Sequence, residues 1–394
     1  MPVQDSNVPA LKQAGLDALR RGDTASARRH FEEIAEAGRA DGLVWLALAA
    51  ARKALGDKAA AVAAADQVLA LEPRNLRALI MKADHHAESG DIPTAVSFYR
   101  AALKSAPAAG QIPTEIIREL RRVESVCAQF AHGYEVYLNQ RLAEHGFDPA
   151  RSSRRFAQSL DILHGKKEIF VQQPRHYYFP ELPQRQFYER EEFPWLEAVE
   201  AATADIREEA EAVLRDDRAF TPYVTRGLKE RPRGEDLGML DNPDWSAFFL
   251  WRDGSEMTEN AARCPRTMRA LERAPLSRVK GRMPSVLFSL LRPGARIPPH
   301  TGVLNTRLIC HLPLIVPAGC RFRVGNDERE WVEGKAWVFD DTIEHEAWNT
   351  SSQLRVVLIF DIWRPEVTDE ERNLVAAMLE AIDDHGAAKT RWDV

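Results

Sequence analysis

The sequence predicts an α+β protein: an N-terminal α-helical solenoid followed by a double-stranded β-helix of the jelly-roll, cupin-like type. Three observations lead there. A Gly-Asp pair recurs at Gly22-Asp23, Gly56-Asp57 and Gly90-Asp91, with a constant spacing of 34 residues. Small residues keep the same phase: Gly15, Ala49 and Ala83 align, as do Ala27, Ala61 and Ala95. The last third of the chain is instead a series of short β-rich runs, SVLFSLL, TRLICHLPLIV, CRFRVG, EREWVEG, KAWVFDD, EHEAWN and LRVVLIFDIW, each closed by turn residues.

The repeats come first. A 34-residue period with glycine at the turn, and small residues where two helices must touch, is the tetratricopeptide signature. One such unit cannot bury its apolar face alone, so residues 1–110 are expected to stack as three repeats. His85 and His86 read as ordinary surface or packing residues there. Residues 111–147 are expected to be a helical linker, with a helix from Thr114 to Leu142. The third part, 148–394, opens with a loop-rich aromatic stretch in which Tyr177, Tyr178 and Phe179 read as core packing. A helix from Pro194 to Arg215, a strand and turn from Trp245 to Gly254 and a short helix ending at Pro275 follow. A closing helix is expected from Asp369 to Asp383, capped by Thr368.

Composition narrows the function. A chain that is 45% apolar and 28% charged is globular, and a net charge of −6 without a Lys/Arg cluster gives no footprint for nucleic acid. No apolar run approaches the roughly 18–20 residues of a membrane span, and the start lacks the basic-then-apolar pattern of a secretory leader. Four cysteines without CxxC spacing read as reduced thiols in cytoplasm, with Cys310 and Cys320 in the core.

Three features of the β region belong together. His300, in PPHTG, is expected at the end of a turn after LLRPGARI, His345 opens the strand after FDDTIE, and Arg355 lies in the strand LRVVLIFD. In a jelly roll, two histidines on facing strands can place imidazole nitrogens on one iron(II) ion. An arginine on a neighbouring strand suits a carboxylate, which its planar fork grips with two bonds. The usual non-haem iron triad has an acid two residues after its first histidine, and that place is Gly302. Water or a nearby acid (Asp340, Asp341, Glu344 or Glu346) are the possible third ligands. Asp340 and Asp341 are expected first to orient the His345 imidazole.

The stretches PPHTGVLNTRLICHLPLIVPAGC, FDDTIEHEAWN and RVVLIFDIWRP resemble the aspartyl/asparaginyl β-hydroxylases, with weaker echoes back to Asp148. The resemblance covers roughly Asp148 to Pro365 and implies a dioxygenase dependent on iron(II), 2-oxoglutarate and O2. It implies a metal held by His300 and His345 alone, so Gly302 is expected in such a site. It further implies that Arg355 binds the distal carboxylate of 2-oxoglutarate with Ser289 assisting. By the same resemblance His311 lies near the chelating carboxylate, and Arg307 contacts an acidic substrate group. Two departures stand out. Val303 and Leu304 replace a Pro-Thr pair, and Ile309 replaces a second arginine that helps hold the co-substrate.

The expected reaction hydroxylates an unactivated C–H, at the β-carbon of an Asp or Asn residue in a protein or peptide, and releases succinate and CO2. The solenoid favours a protein or peptide as substrate, because its concave face suits an extended chain. The alternatives are a small or lipid-linked acid as substrate, or a non-catalytic interaction protein built on a cupin.

Overall fold

The computed structural model describes residues 7–106, 113–225 and 238–385. The chain divides into two compact units, Met1–Leu160 and Asp161–Val394.

The first unit holds three helical hairpins, α1 (Val8–Arg20) with α2 (Thr24–Glu36), α3 (Gly42–Ala54) with α4 (Lys58–Leu71), and α5 (Leu76–Glu88) with α6 (Ile92–Lys104). The repeated Gly-Asp pair makes each hairpin turn. Gly22, Gly56 and Gly90 have φ of +79°, +85° and +83°, a backbone that ends one helix cheaply only without a side chain. Asp23, Asp57 and Asp91 then accept the backbone N–H of Ser26, Ala60 and Thr94, capping the next helix. The phased small residues lie where helices touch: a Cβ on Gly15 would come within 2.6 Å of the Phe31 ring. His86 stacks on Phe98, a packing role as expected.

A long helix follows, α7 (Thr114–Glu144), and its Val123 joins a core cluster with Leu79 and Tyr99 of the third hairpin. The expected boundary at residue 110 lies outside the described residues. Helix α8 (Arg154–Leu163) comes next.

The second unit is built on two antiparallel sheets. Its helices are α9 (Leu196–Ala201), α10 (Thr203–Leu214), α11 (Thr258–Arg263), α12 (Pro265–Ala270) and α13 (Asp369–Asp384). The larger sheet has the order β1 (Thr221–Pro222), β2 (Trp245–Arg252), β4 (Val286–Leu291), β11 (Arg355–Trp363), β6 (Arg307–Ile315) and β9 (Trp337–Phe339), with β3 (Ser255–Glu256) on β2. The smaller sheet runs β5 (Arg296–His300), β10 (His345–Asn349), β7 (Cys320–Val324) and β8 (Asp327–Glu330).

Strand alternation decides what each sheet face meets. On β11, Val356, Leu358, Phe360 and Ile362 enter a cluster with Leu196, Val199, Ile206 and Ala210 of α9 and α10. Cys310, Leu312 and Leu314 of β6 join the same helix-covered face, and Cys310 is fully buried as expected. The intervening residues face the other way, into a core shared with the smaller sheet through Ile297, Phe322 and Ala347. Arg355, Ile359 and Asp361 lie on that second face of β11, as do Arg307, Ile309 and His311 on β6.

Several expectations need correction. His300 closes a strand, not a turn: Pro298 and Pro299 argue against a strand, but β5 is an edge that among the described residues pairs with β10 alone, where a missing N–H is tolerated. The helix expected from Pro194 to Arg215 is two, meeting at Ala202, and the one expected before Pro275 is split at Pro265. Within EREWVEG only the first residues are strand, and Trp331 turns inward to 6% exposure. Tyr178 is 52% exposed, not core, whereas Tyr177 and Phe179 pack against Val303 and Leu304. The closing helix has the expected Thr368 cap, reinforced by Glu371 bonding back to the Thr368 N–H.

Candidate active site

The inward face of the larger sheet and the smaller sheet flank a recess with a cavity volume of about 90 Å³. All six residues singled out in the sequence line it: Ser289, His300, Arg307, His311, His345 and Arg355.

His300 ends β5 and His345 begins β10, and the two are direct partners in the strand register. Their ring centroids are 4.1 Å apart. The His300 Nδ1 lies 2.7 Å from the Pro298 carbonyl, and the His345 Nδ1 lies 3.1 Å from that of Ile343. With Nδ1–H donated to a carbonyl, each Nε2 keeps its lone pair for a metal. Burial pushes both imidazoles down, His345 to about 4, and for His300 the neighbouring His345 adds to the effect. Both are therefore neutral, the form a metal requires. Carbonyls, not the Asp340 and Asp341 carboxylates, orient these rings. Asp340 instead accepts from Arg364, Gln172 and Thr342.

Among the described residues no cluster of three His, Cys, Asp or Glu side chains could hold a metal. Gly302 explains part of this. Its N–H donates to the Asp341 carbonyl at 2.6 Å, and a Cβ built on it would lie 2.1 Å from the Asp341 carboxylate. No acid fits at 302 while Asp341 keeps its place. Gly302→Asp is accordingly expected to lower stability by about 1–3 kcal/mol and to weaken metal binding. Calorimetry and a metal titration check this; tighter iron(II) binding by the variant would contradict it.

Arg355 is 1% exposed, yet among the described residues its only hydrogen-bond contacts are two at 3.4 Å, from Nη1 to the Ser289 carbonyl and hydroxyl. Those are long for hydrogen bonds. Burial pushes its guanidinium down to about 10, so it stays charged at neutral pH. Its Nε, the Trp331 Nε1 and the His311 Nδ1 are buried without partners among the described residues. Trp331 also lies under the guanidinium, 5.0 Å from ring centre to Cζ. A buried cation with donors beside it and no anion calls for one. A dicarboxylate next to two free imidazole nitrogens fits these residues.

Arg307 differs from Arg355 in being paired. Its Nη1 donates to Asp361 at 3.0 Å and its Nη2 to Asp341 at 3.1 Å. Asp361 is held in turn by the Ser285 N–H at 2.6 Å and the Ser277 hydroxyl at 3.1 Å.

Residues 200–365 match the family model described as Aspartyl/Asparaginyl beta-hydroxylase, a span that contains every residue of this site. They form a domain of the aspartyl/asparaginyl β-hydroxylase family. Residues 51–110 match the tetratricopeptide repeat model. The chain is 35% identical over 191 residues to the aspartyl/asparaginyl beta-hydroxylase of Mus musculus, covering 47% of this chain and 25% of that one. It is 34% identical over 181 residues to the ornithine lipid ester-linked acyl 2-hydroxylase of Rhizobium tropici, covering 45% and 60%. Both are named hydroxylases, and the chain spans less than two thirds of either. The repeat region is similar to the solved first repeat domain of Spaghetti (RPAP3) bound to an HSP90 peptide, with 19% identity, a TM-score of 0.27, and coverage of 32% of this chain and 98% of that one.

Within this β-hydroxylase-family domain the family departures sit close to the site. Val303 and Leu304 are buried in a side cluster, and both Val303 and Ile309 line the recess. Three contributors went unread in the sequence: Trp331, Asp361, and Trp245, whose Nε1 donates to the Ser289 hydroxyl at 3.3 Å. For Asp361 a signal existed, an acid inside an otherwise apolar strand, where a charge needs a partner.

Proposed function

We propose that this chain is an iron(II)- and 2-oxoglutarate-dependent dioxygenase that hydroxylates an unactivated C–H of an Asp or Asn residue in a protein or peptide. The observation that carries the reading is the pairing of two neutral, register-matched histidines with a fully buried arginine lacking an anion, all on one recess. The two antiparallel sheets support reading the domain as a double-stranded β-helix.

His300 and His345 would hold the iron through Nε2. Arg355 would grip the distal carboxylate, with the Ser289 hydroxyl beside it, and His311 would face the chelating end. Iron(II) with 2-oxoglutarate supplies oxygen activation: one atom of O2 enters the substrate C–H as hydroxyl, the other enters succinate, and CO2 leaves. The chain's own part is to orient the co-substrate and keep it dry. Trp331 and Phe322 pack around His311, with ring centroids 6.1 and 5.0 Å from it, and exclude water from that end. A protein or peptide substrate is supported by the tetratricopeptide repeats. The lipid hydroxylase relative is the observation that favours an acyl substrate instead.

An anaerobic titration with iron(II) and 2-oxoglutarate should produce a weak visible charge-transfer band, and admission of air should yield succinate. Neither band nor succinate would sink the proposal.

A further inference from the structure

Arg307, Asp341 and Asp361 form a charged group on the recess that the co-substrate contacts leave unused. It contains one guanidinium and two carboxylates, all nearly or fully buried: the side-chain exposures are 11%, 7% and 0%. Arg307 therefore has no charge to spare, since Asp361 and Asp341 each take one of its terminal nitrogens. Arg282, another cation on the recess, is gripped by both carboxylate oxygens of Asp383 at 2.9 and 2.7 Å. Arg355 is committed to the co-substrate. Among the described residues that line the recess, a substrate carboxylate would meet no cation without an acidic partner apart from Arg355, and it would have to displace Asp341 or lie against two like charges.

Two atoms in this group are unmatched, the Nε of Arg307 and one carboxylate oxygen of Asp341. Asp341 Oδ1 is buried with no hydrogen-bond partner among the described residues, while Oδ2 is held by Arg307. An orphaned buried acceptor is costly, and a ligand that donates to it recovers that cost. Asp341 also packs against Gly302, two residues along the chain from His300, so its free oxygen is close to the metal side of the recess.

We propose that the group beside the oxidised carbon is uncharged and donates a hydrogen bond to Asp341 Oδ1, as the side-chain amide of asparagine does, and that a carboxylate there is discriminated against. This rests on the dioxygenase reading and names its substrate class. Ile309 lines the same recess with an alkyl group and so adds no second cation beside Arg307.

The test uses the full chain with iron(II), 2-oxoglutarate and air, and two peptide pools identical except for a central Asn or Asp. Succinate formed without peptide reports the dioxygenase reading, and product mass reports hydroxylation of each pool. The Asn pool is expected to be hydroxylated at least about tenfold faster. In Asp341→Asn the ratio between pools should collapse towards one, whatever the overall rate. Equal or faster hydroxylation of the Asp pool by the natural chain overturns the inference, and does so even if the variant fails to fold. So does an Asn preference that Asp341→Asn leaves intact, which would assign Oδ1 to some other donor. Succinate without hydroxylation of either pool overturns the inference but leaves the dioxygenase standing. No succinate under any condition removes both.

Discussion

His345→Ala is expected to abolish metal loading and succinate formation while both units stay folded. The reason is arithmetic: with Gly302 unable to carry an acid and no third protein ligand among the described residues, losing one imidazole leaves a single one. Even partners that only orient a metal ligand are worth about 10–100-fold in affinity, so loss of the ligand itself should cost more than about 100-fold. The structural cost is smaller. The His345 ring bonds to its surroundings through Nδ1 and the Ile343 carbonyl, and leaving that carbonyl unmatched costs about 1–3 kcal/mol. His300→Ala should behave alike, and the double variant should bind metal no worse than either single one, because both rings serve one ion. An anaerobic iron(II) titration of the three variants, with circular dichroism for the fold, reads this out. Additive losses, or a charge-transfer band surviving in His345→Ala, would show that the histidines do not share a metal.

Legibility in the sequence followed how local each cause was. The repeats were readable because the Gly-Asp pair encodes two adjacent events, a left-handed helix end and the cap of the next helix, within the pair itself. The alternation on β6 and β11 was readable for the same reason, since neighbouring side chains must part to opposite faces. Strand β5 was not, because two prolines forbid a central strand and only the sheet order reveals an edge. The break at Ala202 likewise has no proline or glycine to announce it. At the site, the residue types were legible but their charge states were not. Arg307 and Arg355 look equivalent in a string of letters. One meets two carboxylates brought from β11 and from the turn before β10, and the other meets none.

That difference leads to the second large effect. Arg355→Met should raise the stability of the co-substrate-free protein while destroying its use of 2-oxoglutarate. A fully buried guanidinium with two 3.4 Å contacts and an aromatic ring has exchanged water for very little. Replacing buried ionic groups with apolar ones of similar volume is often stabilising by about 1–4 kcal/mol, and here the charge lacks an ionic partner altogether. The same cation becomes favourable only when a carboxylate arrives, and truncating one member of such a buried pair costs about 2–5 kcal/mol, or upwards of about 30-fold in affinity. The two measurements should therefore move in opposite directions. Thermal unfolding without ligand should shift upward in the variant, while the stabilisation that 2-oxoglutarate gives the natural chain, which grows with ligand concentration, should vanish. The KM for 2-oxoglutarate should rise in step with that lost affinity. If the variant melts lower without ligand, the guanidinium is a structural element of the sheet. If it still gains stability from 2-oxoglutarate, the distal carboxylate is held elsewhere and the assignment of Arg355 fails.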